Sequence, residues 1–429
     1  MGGGYGFQFN MLDFSGIFGD HGRIYGYKGL KISIWMNIMS FQSFCEIYFE
    51  KRSNFGKGIT DLESGLKTLF VGTLVDNKDD FIESFSRDSH YIRDTVSSGK
   101  ILWQNSTDGH EIQVIRMGMG DAGYLYVRLV PLIVLLVEGF SYKMGSISID
   151  LNDEGLELYL LIEKPVDQTA NNQDRLLGFS SVYRYYHYPD GLSRLRLNLI
   201  LVLPPYRCKG YGRRILRVLK NVAITEDAYD LTVKEPSEEL QHMRTCIDVF
   251  QLLSFDPVQD AVDATISLLK QGKLSKNVRL PRFLPPLDLV EDVRKTFRIN
   301  KSQFLQCWEV LVYVCLSNYV HDERMDNYFT IVSNRVRAKV LGTAARTTGK
   351  KVMNIPNSHN PRMSFVMFRV GGGINAFKDQ NIREEHIKQL IDRRLEEIKL
   401  IAEKVLVPNP NQKIWHVEQD DEAGNIANP

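Results

Sequence analysis

One segment constrains the fold of this chain more than any other, because a strand, a glycine-containing loop and a helix follow one another without a break. Residues 194–203 place leucine at every second position, alternating with Arg196 and Asn198 in the first half, which predicts a strand. Residues 215–222 place apolar side chains three and four positions apart, which predicts an amphipathic helix. Residues 207–212, RCKGYG, lie between them. The segment therefore predicts a sheet with a helix packed on one face.

The loop of this segment has the composition of an anion site. Gly210 and Gly212 let backbone amides approach a ligand closely, and amides at a helix N-terminus bind phosphate or pyrophosphate. Lys209, Arg213 and Arg214 add positive charge. A glycine turn that merely starts a helix is the alternative interpretation of the same spacing.

A second glycine motif, GMGDAG at residues 118–123, matches the dinucleotide-binding pattern, with the acidic Glu138 following. If residues 132–137 were the next strand, only about seven residues would remain for the crossover helix, which needs ten or more. Pro131 would interrupt that helix further. We therefore expect a plain loop at this motif.

The overall composition excludes several classes of protein. The 429 residues predict two or three domains, and 53 basic against 52 acidic residues argue against a protein that coats nucleic acid. Five cysteines without a CxxC pair argue against a disulfide framework or a zinc site, so we expect no metal and a reducing compartment. The N-terminus lacks the pattern of a signal peptide. The longest apolar run, residues 129–137, is too short for a bilayer span, so we expect no membrane partner.

The pattern along the chain predicts an α+β protein in four parts. Residues 1–125 mix short strands and turns, 126–258 hold the strand–loop–helix segment, and 259–406 are mainly helical. A basic, glycine-rich stretch at 335–381 is predicted to be a flexible loop, whose residues 335–351 could direct nuclear entry or contact an acidic partner. Residues 407–429 are polar and acidic and are predicted to be disordered.

An aromatic cluster ends the predicted strand over residues 176–188. Its members are Tyr183, Tyr185, Tyr186, His187 and Tyr188, followed by a turn at residues 188–191. Packing within the sheet explains such a cluster, and so does a groove for an extended basic peptide. Cys208 has no histidine near it in sequence, so we do not expect it to be a nucleophile.

Longer strings carry a family resemblance. Residues 197–222 resemble motif A of the GNAT superfamily of acetyltransferases, whose Gln/Arg-x-x-Gly-x-Gly/Ala pattern is matched by Arg207, Gly210 and Gly212. From about residue 17 to 406 the chain is similar to the catalytic subunits of type B histone acetyltransferases. The strings that carry this similarity are IFGD at 17–20, YGYKGLKI at 25–32, VYRYYHYPD at 182–190, DLT at 230–232 with PS at 236–237, and FRINK at 297–301.

The resemblance implies a central acetyl-CoA-binding fold with a mixed, splayed β-sheet, between an N-terminal α+β domain and a C-terminal helical domain. It implies that the pantetheine arm pairs with the backbone of Leu201, Val202 and Leu203. The pyrophosphate would meet Arg207, Cys208, Lys209, Gly210, Tyr211 and Gly212. The acceptor amine would attack the thioester directly, without an acyl-enzyme.

The resemblance also implies the substrate and partners. The family acetylates lysines of newly synthesised, non-nucleosomal histone four, with a WD-repeat histone chaperone as partner, in nucleus and cytoplasm. We expect Tyr183, Tyr185, Tyr186, His187 and Asp190 to contact the histone tail, and we expect no direct contact with nucleic acid.

Four positions depart from the family pattern, one of which is Glu239, where the family has a serine near the cofactor. Lys234 stands where the family has the glutamate usually assigned as general base, Glu235 replaces the following aspartate, and Leu156 replaces a tryptophan of the substrate surface. A lysine amine has a pKa of about 10.4, so attack at neutral pH needs a base. We expect Glu235 or Glu138 to be that base, directly or through water. Two alternatives stay open: a weakened scaffold that binds acetyl-CoA and histone, and an N-acetyltransferase for a different amine.

Overall fold

A computed structural model of the chain describes residues 18, 23–53, 58–107, 109–137, 153–165, 173–186, 191–270, 283–317, 323–346 and 380–406. Three predicted site residues, Glu138, His187 and Asp190, lie outside the described residues, as does the predicted tail at 407–429.

The described part of the chain contains ten strands and eleven α-helices. In chain order they are β1 (Tyr27–Lys28), β2 (Lys31–Met36), β3 (Ser43–Tyr48), β4 (Lys51–Arg52), α1 (Leu62–Leu69), α2 (Lys78–Arg87), α3 (Tyr91–Val96), β5 (Lys100–Thr107), β6 (His110–Gly118), α4 (Met119–Leu136), β7 (Leu156–Pro165), β8 (Arg175–Tyr186), β9 (Ser193–Val202), α5 (Tyr211–Thr225), β10 (Leu231–Val233), α6 (Glu238–Leu252), α7 (Asp256–Leu269), α8 (Leu287–Phe297), α9 (Lys301–Leu316), α10 (Glu323–Arg346) and α11 (Gln380–Leu406).

A six-stranded sheet in the order β10-β9-β8-β7-β6-β5 forms the centre of the fold. Neighbouring strands from β5 to β9 pair antiparallel, and β10 pairs parallel with β9. A parallel pair needs a crossover connection, and α5 supplies it between β9 and β10. The mixed sheet with packed helices that the sequence predicted is confirmed.

Helices cover both faces of this sheet. On one face, α4 presents Leu125, Leu129 and Ile133, each fully buried, to apolar side chains of β6–β9, and we call this cluster the α4 core. Complete burial of one such side chain contributes about 1.5–3 kcal/mol. Helix α5 contacts β7, β8 and β9, and its face at Ile215 and Leu219 is also fully buried. The strand–loop–helix segment therefore supplies the second strand of the sheet and a helix packed against it.

Helix α4 corrects one expectation. Residues 118–123 form the junction between β6 and α4 rather than a loop. Residues 132–136 continue this 18-residue helix, so they are not the second strand that a dinucleotide-binding unit would need. The strands on either side, β6 and β7, pair antiparallel, which is not the parallel βαβ unit of dinucleotide-binding folds. By length and composition α4 could cross a membrane, but 56% of its residues are buried, as in a core helix of a globular fold.

Contacts between residues divide the chain into two compact units. The division does not coincide with the predicted domain boundaries. One unit holds residues 1–238 and 294–300, and the other holds residues 239–293 and 301–429. The predicted boundary at residue 125 falls inside α4, and β5 and β6 belong to the same sheet as β7. Residues 100–118 therefore contribute two strands to the central sheet.

The second unit is helical, with α9 in contact with α7, α10 and α11. The predicted loop at 335–381 is wrong at its start, because α10 continues to Arg346. The side chain of Glu309 on α9 accepts hydrogen bonds from Arg335 on α10 and Arg394 on α11, at 2.8 and 2.9 Å. Arg335, which the sequence analysis assigned to a flexible loop, instead binds the buried carboxylate of Glu309. Residues 347–379 lie outside the described residues.

Candidate functional site

Strands β9 and β10 separate partway along their length. Their last paired residues are Leu197 and Val233, and the amide of Lys234 donates to the Leu197 carbonyl at 2.9 Å. Strand β9 continues to Val202, and in the described part of the chain no strand pairs with residues 198–202 on that side. We call the gap between residues 198–202 and 233–235 the β9–β10 opening.

A β-bulge explains why the strands separate at this point. Ser181 pairs with Leu199 and Val182 pairs with Leu197, so Asn198 has no residue opposite it on β8. A bulge bends its strand and increases the local twist. The bulge also shifts the alternation of faces along β9, so that Leu199 and Leu201 lie on the face that packs in the α4 core. Strand β9 thus bends at the residue that follows its last contact with β10.

Strand β8 comes unusually close to β9 beside the opening. A Cβ atom added to Gly178 would lie 2.8 Å from the Leu201 carbonyl oxygen and 3.1 Å from the Cα of Val202. Glycine inside a strand is typical of sites where another backbone approaches closely. Gly178 therefore fixes the position of the β9 segment that the sequence analysis assigned to the pantetheine arm.

The loop after β9, at the start of α5, has the features of an anion site. Gly210 has φ 85°, a conformation that favours glycine, and a Cβ there would meet nothing within 4 Å, so backbone conformation is the constraint. The helix begins without a side-chain cap or an acidic residue in its first turn. Its first amides have no partner within the helix, and the helix dipole favours negative charge there. Cys208 is exposed and has φ 61°, a strained value for a residue other than glycine.

The side chains of this loop are tied to the fold around it. Arg207 Nε donates to the Val202 carbonyl at 3.1 Å, which links the loop to the end of β9. The Lys209 ammonium lies 5.8 Å from the centre of the Tyr206 ring. Burial raises the pKa of Tyr206 and Tyr211, so both phenols remain uncharged beside the anion site over a wider pH range. The cofactor residues that the sequence predicted therefore lie together along one edge of the opening.

One candidate base, Glu235, lies at the other edge, next to Lys234. Lys234 and Glu235 are exposed and follow the end of β10, and Glu235 has φ 41°. Because both residues lie beyond the strand, the alternation of strand faces does not decide where the Glu235 carboxylate points. Within the residues that the structure describes, the side chains of Lys234 and Glu235 make no hydrogen bond or ion pair. Glu138 lies outside those residues, so the geometry does not choose between the two acids.

Of the predicted substrate residues, the structure describes three tyrosines of β8. The rings of Tyr183 and Tyr185 are 6.3 Å apart and half-buried, whereas Tyr186 is 79% exposed. Burial raises the pKa of Tyr183. The negative charge of Asp153 and the hydrogen bond between the two side chains raise it further. These tyrosines combine packing within the sheet with an exposed edge.

Sequence reasoning missed an ion pair that fixes β10 against β9. Arg194 on β9 donates to both oxygens of Asp230 at 2.5 and 2.9 Å, and the Asp230 side chain is only 2% exposed. Arg194 also bonds to Tyr185 and stacks on Tyr229. The partners are 36 residues apart in sequence, so no local pattern could have paired them. This pair joins the start of β9 to the residue that precedes β10.

Comparison with known proteins identifies the family. Residues 8–138 match a family model described as histone acetyl transferase HAT1 N-terminus, and residues 147–243 match the acetyltransferase (GNAT) family. The chain is 44% identical to the histone acetyltransferase type B catalytic subunit of Arabidopsis thaliana, over 92% of this chain and 86% of that protein. It is 38% identical to the protein of the same name from Zea mays, over 92% of this chain and 84% of the relative.

The solved structures share less with this chain. A ribosomal-protein-alanine N-acetyltransferase from Brucella melitensis is 18% identical, covers 31% of this chain and 86% of its own, and has a TM-score of 0.23. A likeness of this size supports no inference about chemistry. The assignment therefore depends on the family models and the two plant relatives.

Proposed function

The chain belongs to the family of type B histone acetyltransferase catalytic subunits, and from that premise we propose that it transfers acetyl from acetyl-CoA to lysines of newly synthesised, non-nucleosomal histone four. It is an acetyl-transferring enzyme of the GNAT family. The plant relatives are named histone acetyltransferases, which supports a histone as the substrate. The choice of newly synthesised histone four is part of the proposal.

The β9–β10 opening beside the start of α5 is the observation that carries the proposal. Acetyl-CoA has a pyrophosphate and an extended arm with amide groups. The amides at the start of α5 suit the pyrophosphate, and the unpaired edge of β9 suits the arm, because it offers backbone donors and acceptors in an extended row. Arg207, which binds the Val202 carbonyl, lies between the two.

The reaction needs one proton removed from the acceptor. The neutral amine attacks the thioester carbonyl, a C–N bond forms, the C–S bond breaks, and coenzyme A leaves as its thiol. Since a lysine amine is mostly protonated at neutral pH, a base speeds the step. We place the base at Glu235 or Glu138, acting directly or through a water molecule. Lys234, beside Glu235, opposes the approach of an acceptor ammonium by charge repulsion.

The test is transfer from labelled acetyl-CoA to a histone-four tail peptide, with cofactor binding measured on the same sample. We expect transfer that disappears when every lysine of the peptide is replaced by arginine. Either Glu235→Gln or Glu138→Gln should lower the rate by about 10²–10⁴, the usual contribution of a general base. Glu83→Gln, at an exposed site on α2, is the control and should leave the rate unchanged.

Other outcomes would point to the alternative functions. Tight acetyl-CoA binding without transfer to any amine would favour a scaffold that keeps the cofactor and histone, an idea that Lys234 and Leu156 motivate. Faster transfer to a polyamine or a protein N-terminus than to the histone peptide would favour a different acceptor. Absence of acetyl-CoA binding would refute the proposal as a whole.

We also propose a WD-repeat histone chaperone as partner and activity in both nucleus and cytoplasm, on the strength of family membership. The basic stretch 335–351 is a weaker candidate for nuclear targeting than its composition indicated. Arg335 is bound by Glu309, and Arg337 donates to Glu384 at 2.6 Å. Alanine at Lys350 and Lys351, which leaves these ion pairs intact, is the sharper test, with localisation of a fluorescent fusion as the measurement. An unchanged distribution would exclude a targeting role for these two lysines.

A further inference from the structure

Lys234 is placed where the acyl end of a cofactor bound in the β9–β10 opening would lie, and we propose that the enzyme acetylates this lysine in its own chain. The inference rests on the proposed function, since it requires acetyl-CoA in the opening. It adds a modification site and a second acceptor to that function.

The direction of the cofactor follows from the order of the binding elements. The anion site at Gly210 follows the C-terminal end of β9, so an arm that begins there runs back along β9 from Val202 toward Asn198. Four residues of extended strand cover about 13 Å. The reactive end of the arm therefore lies toward the closed end of the opening, where β10 stops.

Lys234 lies at that closed end. Its amide donates to the Leu197 carbonyl at 2.9 Å, and Leu197 precedes the bulged Asn198, so the Lys234 backbone is fixed beside the bend in β9. Its side chain is exposed, and no side chain among the described residues forms an ion pair with it. The ammonium group is therefore not held away from the opening by a carboxylate.

The chemistry balances without any further reactant. The unprotonated ε-amine of Lys234 attacks the acetyl carbonyl, a C–N bond forms, and the C–S bond breaks. Coenzyme A leaves as a thiolate and takes up the proton that the amine loses. Only a small fraction of an alkyl amine is unprotonated at neutral pH, but tethering a reactant beside its partner raises its effective concentration by several orders of magnitude. The product is neutral Nε-acetyl-lysine, which removes the positive charge at the closed end of the opening.

The experiment uses the full-length protein and acetyl-CoA whose acetyl group carries deuterium, so that acetyl groups added during expression are not counted. Mass spectrometry follows the labelled acetyl group at Lys234 and at Lys67, an exposed lysine of α1 that reports background chemistry. We expect an initial rate at Lys234 at least about tenfold above that at Lys67, as tethering predicts. The fraction modified per minute should not depend on protein concentration, and excess coenzyme A should suppress labelling at Lys234 but not at Lys67.

Two variants separate this site from the rest of the protein. Lys234→Arg keeps the charge and should remove the fast phase of labelling, whereas Lys67→Arg should leave it intact. Equal rates at the two lysines, a rate that rises with protein concentration, or labelling that coenzyme A does not suppress would each overturn the proposal. Transfer to the histone peptide is recorded in parallel. A chain that acetylates the peptide but not Lys234 refutes this inference alone, whereas a chain that does not bind acetyl-CoA refutes the proposed function as well.

Discussion

Replacement of Gly178 by alanine tests whether close contact between β8 and β9 holds the cofactor segment in place. The new Cβ would lie 2.8 Å from the Leu201 carbonyl oxygen. Both atoms are attached to the backbones of paired strands, so neither can rotate away from the other. Such overpacking costs about 1–3 kcal/mol. Loss of glycine's freedom in the unfolded chain offsets up to about 1 kcal/mol, so we expect the free energy of unfolding to fall by about 1–2 kcal/mol.

The same displacement should weaken acetyl-CoA binding. Residues 201–202 are the part of β9 that must move, and they lie on the edge proposed for the pantetheine arm. Loss or distortion of two backbone hydrogen bonds, at about 0.5–1.5 kcal/mol each, corresponds to a Kd about 5- to 150-fold higher. Urea unfolding and calorimetric titration with acetyl-CoA measure the two effects separately.

Gly120→Ala is the matched control for Gly178→Ala. Gly120 lies in the first turn of α4, it is exposed, and a Cβ there would meet nothing within 4 Å. Alanine in a helix is favoured over glycine by up to about 1 kcal/mol, so this variant should be as stable as the wild type or more so, with unchanged Kd. If Gly178→Ala matches the control in both measurements, the close contact does not position β9 and the reasoning is wrong.

Three other changes test features of each unit. Arg207→Met removes the donor to the Val202 carbonyl and a positive charge beside the anion site, so the Kd for acetyl-CoA in calorimetry should rise about tenfold, the equivalent of about 1.4 kcal/mol; an unchanged Kd would contradict this. Glu309→Gln deprives Arg335 and Arg394 of a buried carboxylate and should lower the free energy of unfolding by about 3 kcal/mol, whereas Glu396→Gln, with a 64% exposed side chain, should change it little. Burial, and then the nearby Lys404 ammonium, lower the pKa of His242, so the unfolded chain binds more protons below about pH 6.5 and stability falls as pH drops through that range. His242→Asn should flatten this fall in urea midpoints measured between pH 7.5 and 5.5, and an equal slope would contradict the assignment.

The strand–loop–helix segment was predictable because its periodicity is local. Residues 194–203 and 215–222 show their faces within a single element, and the structure places β9 and α5 over them. The fold class was therefore accessible from pattern and resemblance together.

The features that shape the opening were not predictable from local patterns. The bulge at Asn198 depends on its pairing with β8, and the bond between Arg194 and Asp230 joins residues far apart in sequence. Helix α10 was misread for a related reason, because Arg335 looks like part of a solvated loop until Glu309 of α9 is placed beside it. In each case the deciding partner lies on another element.

The bulge in β9 has a consequence for how this protein can diverge over generations. The opening is created by strand register, so an insertion or deletion in residues 193–202 would shift every leucine beyond it to the opposite face and should be eliminated by selection. Substitutions at residues 234–235 leave that register untouched. Evolution can therefore change residues 234–235 by single substitutions, while the strand register that shapes the β9–β10 opening stays the same.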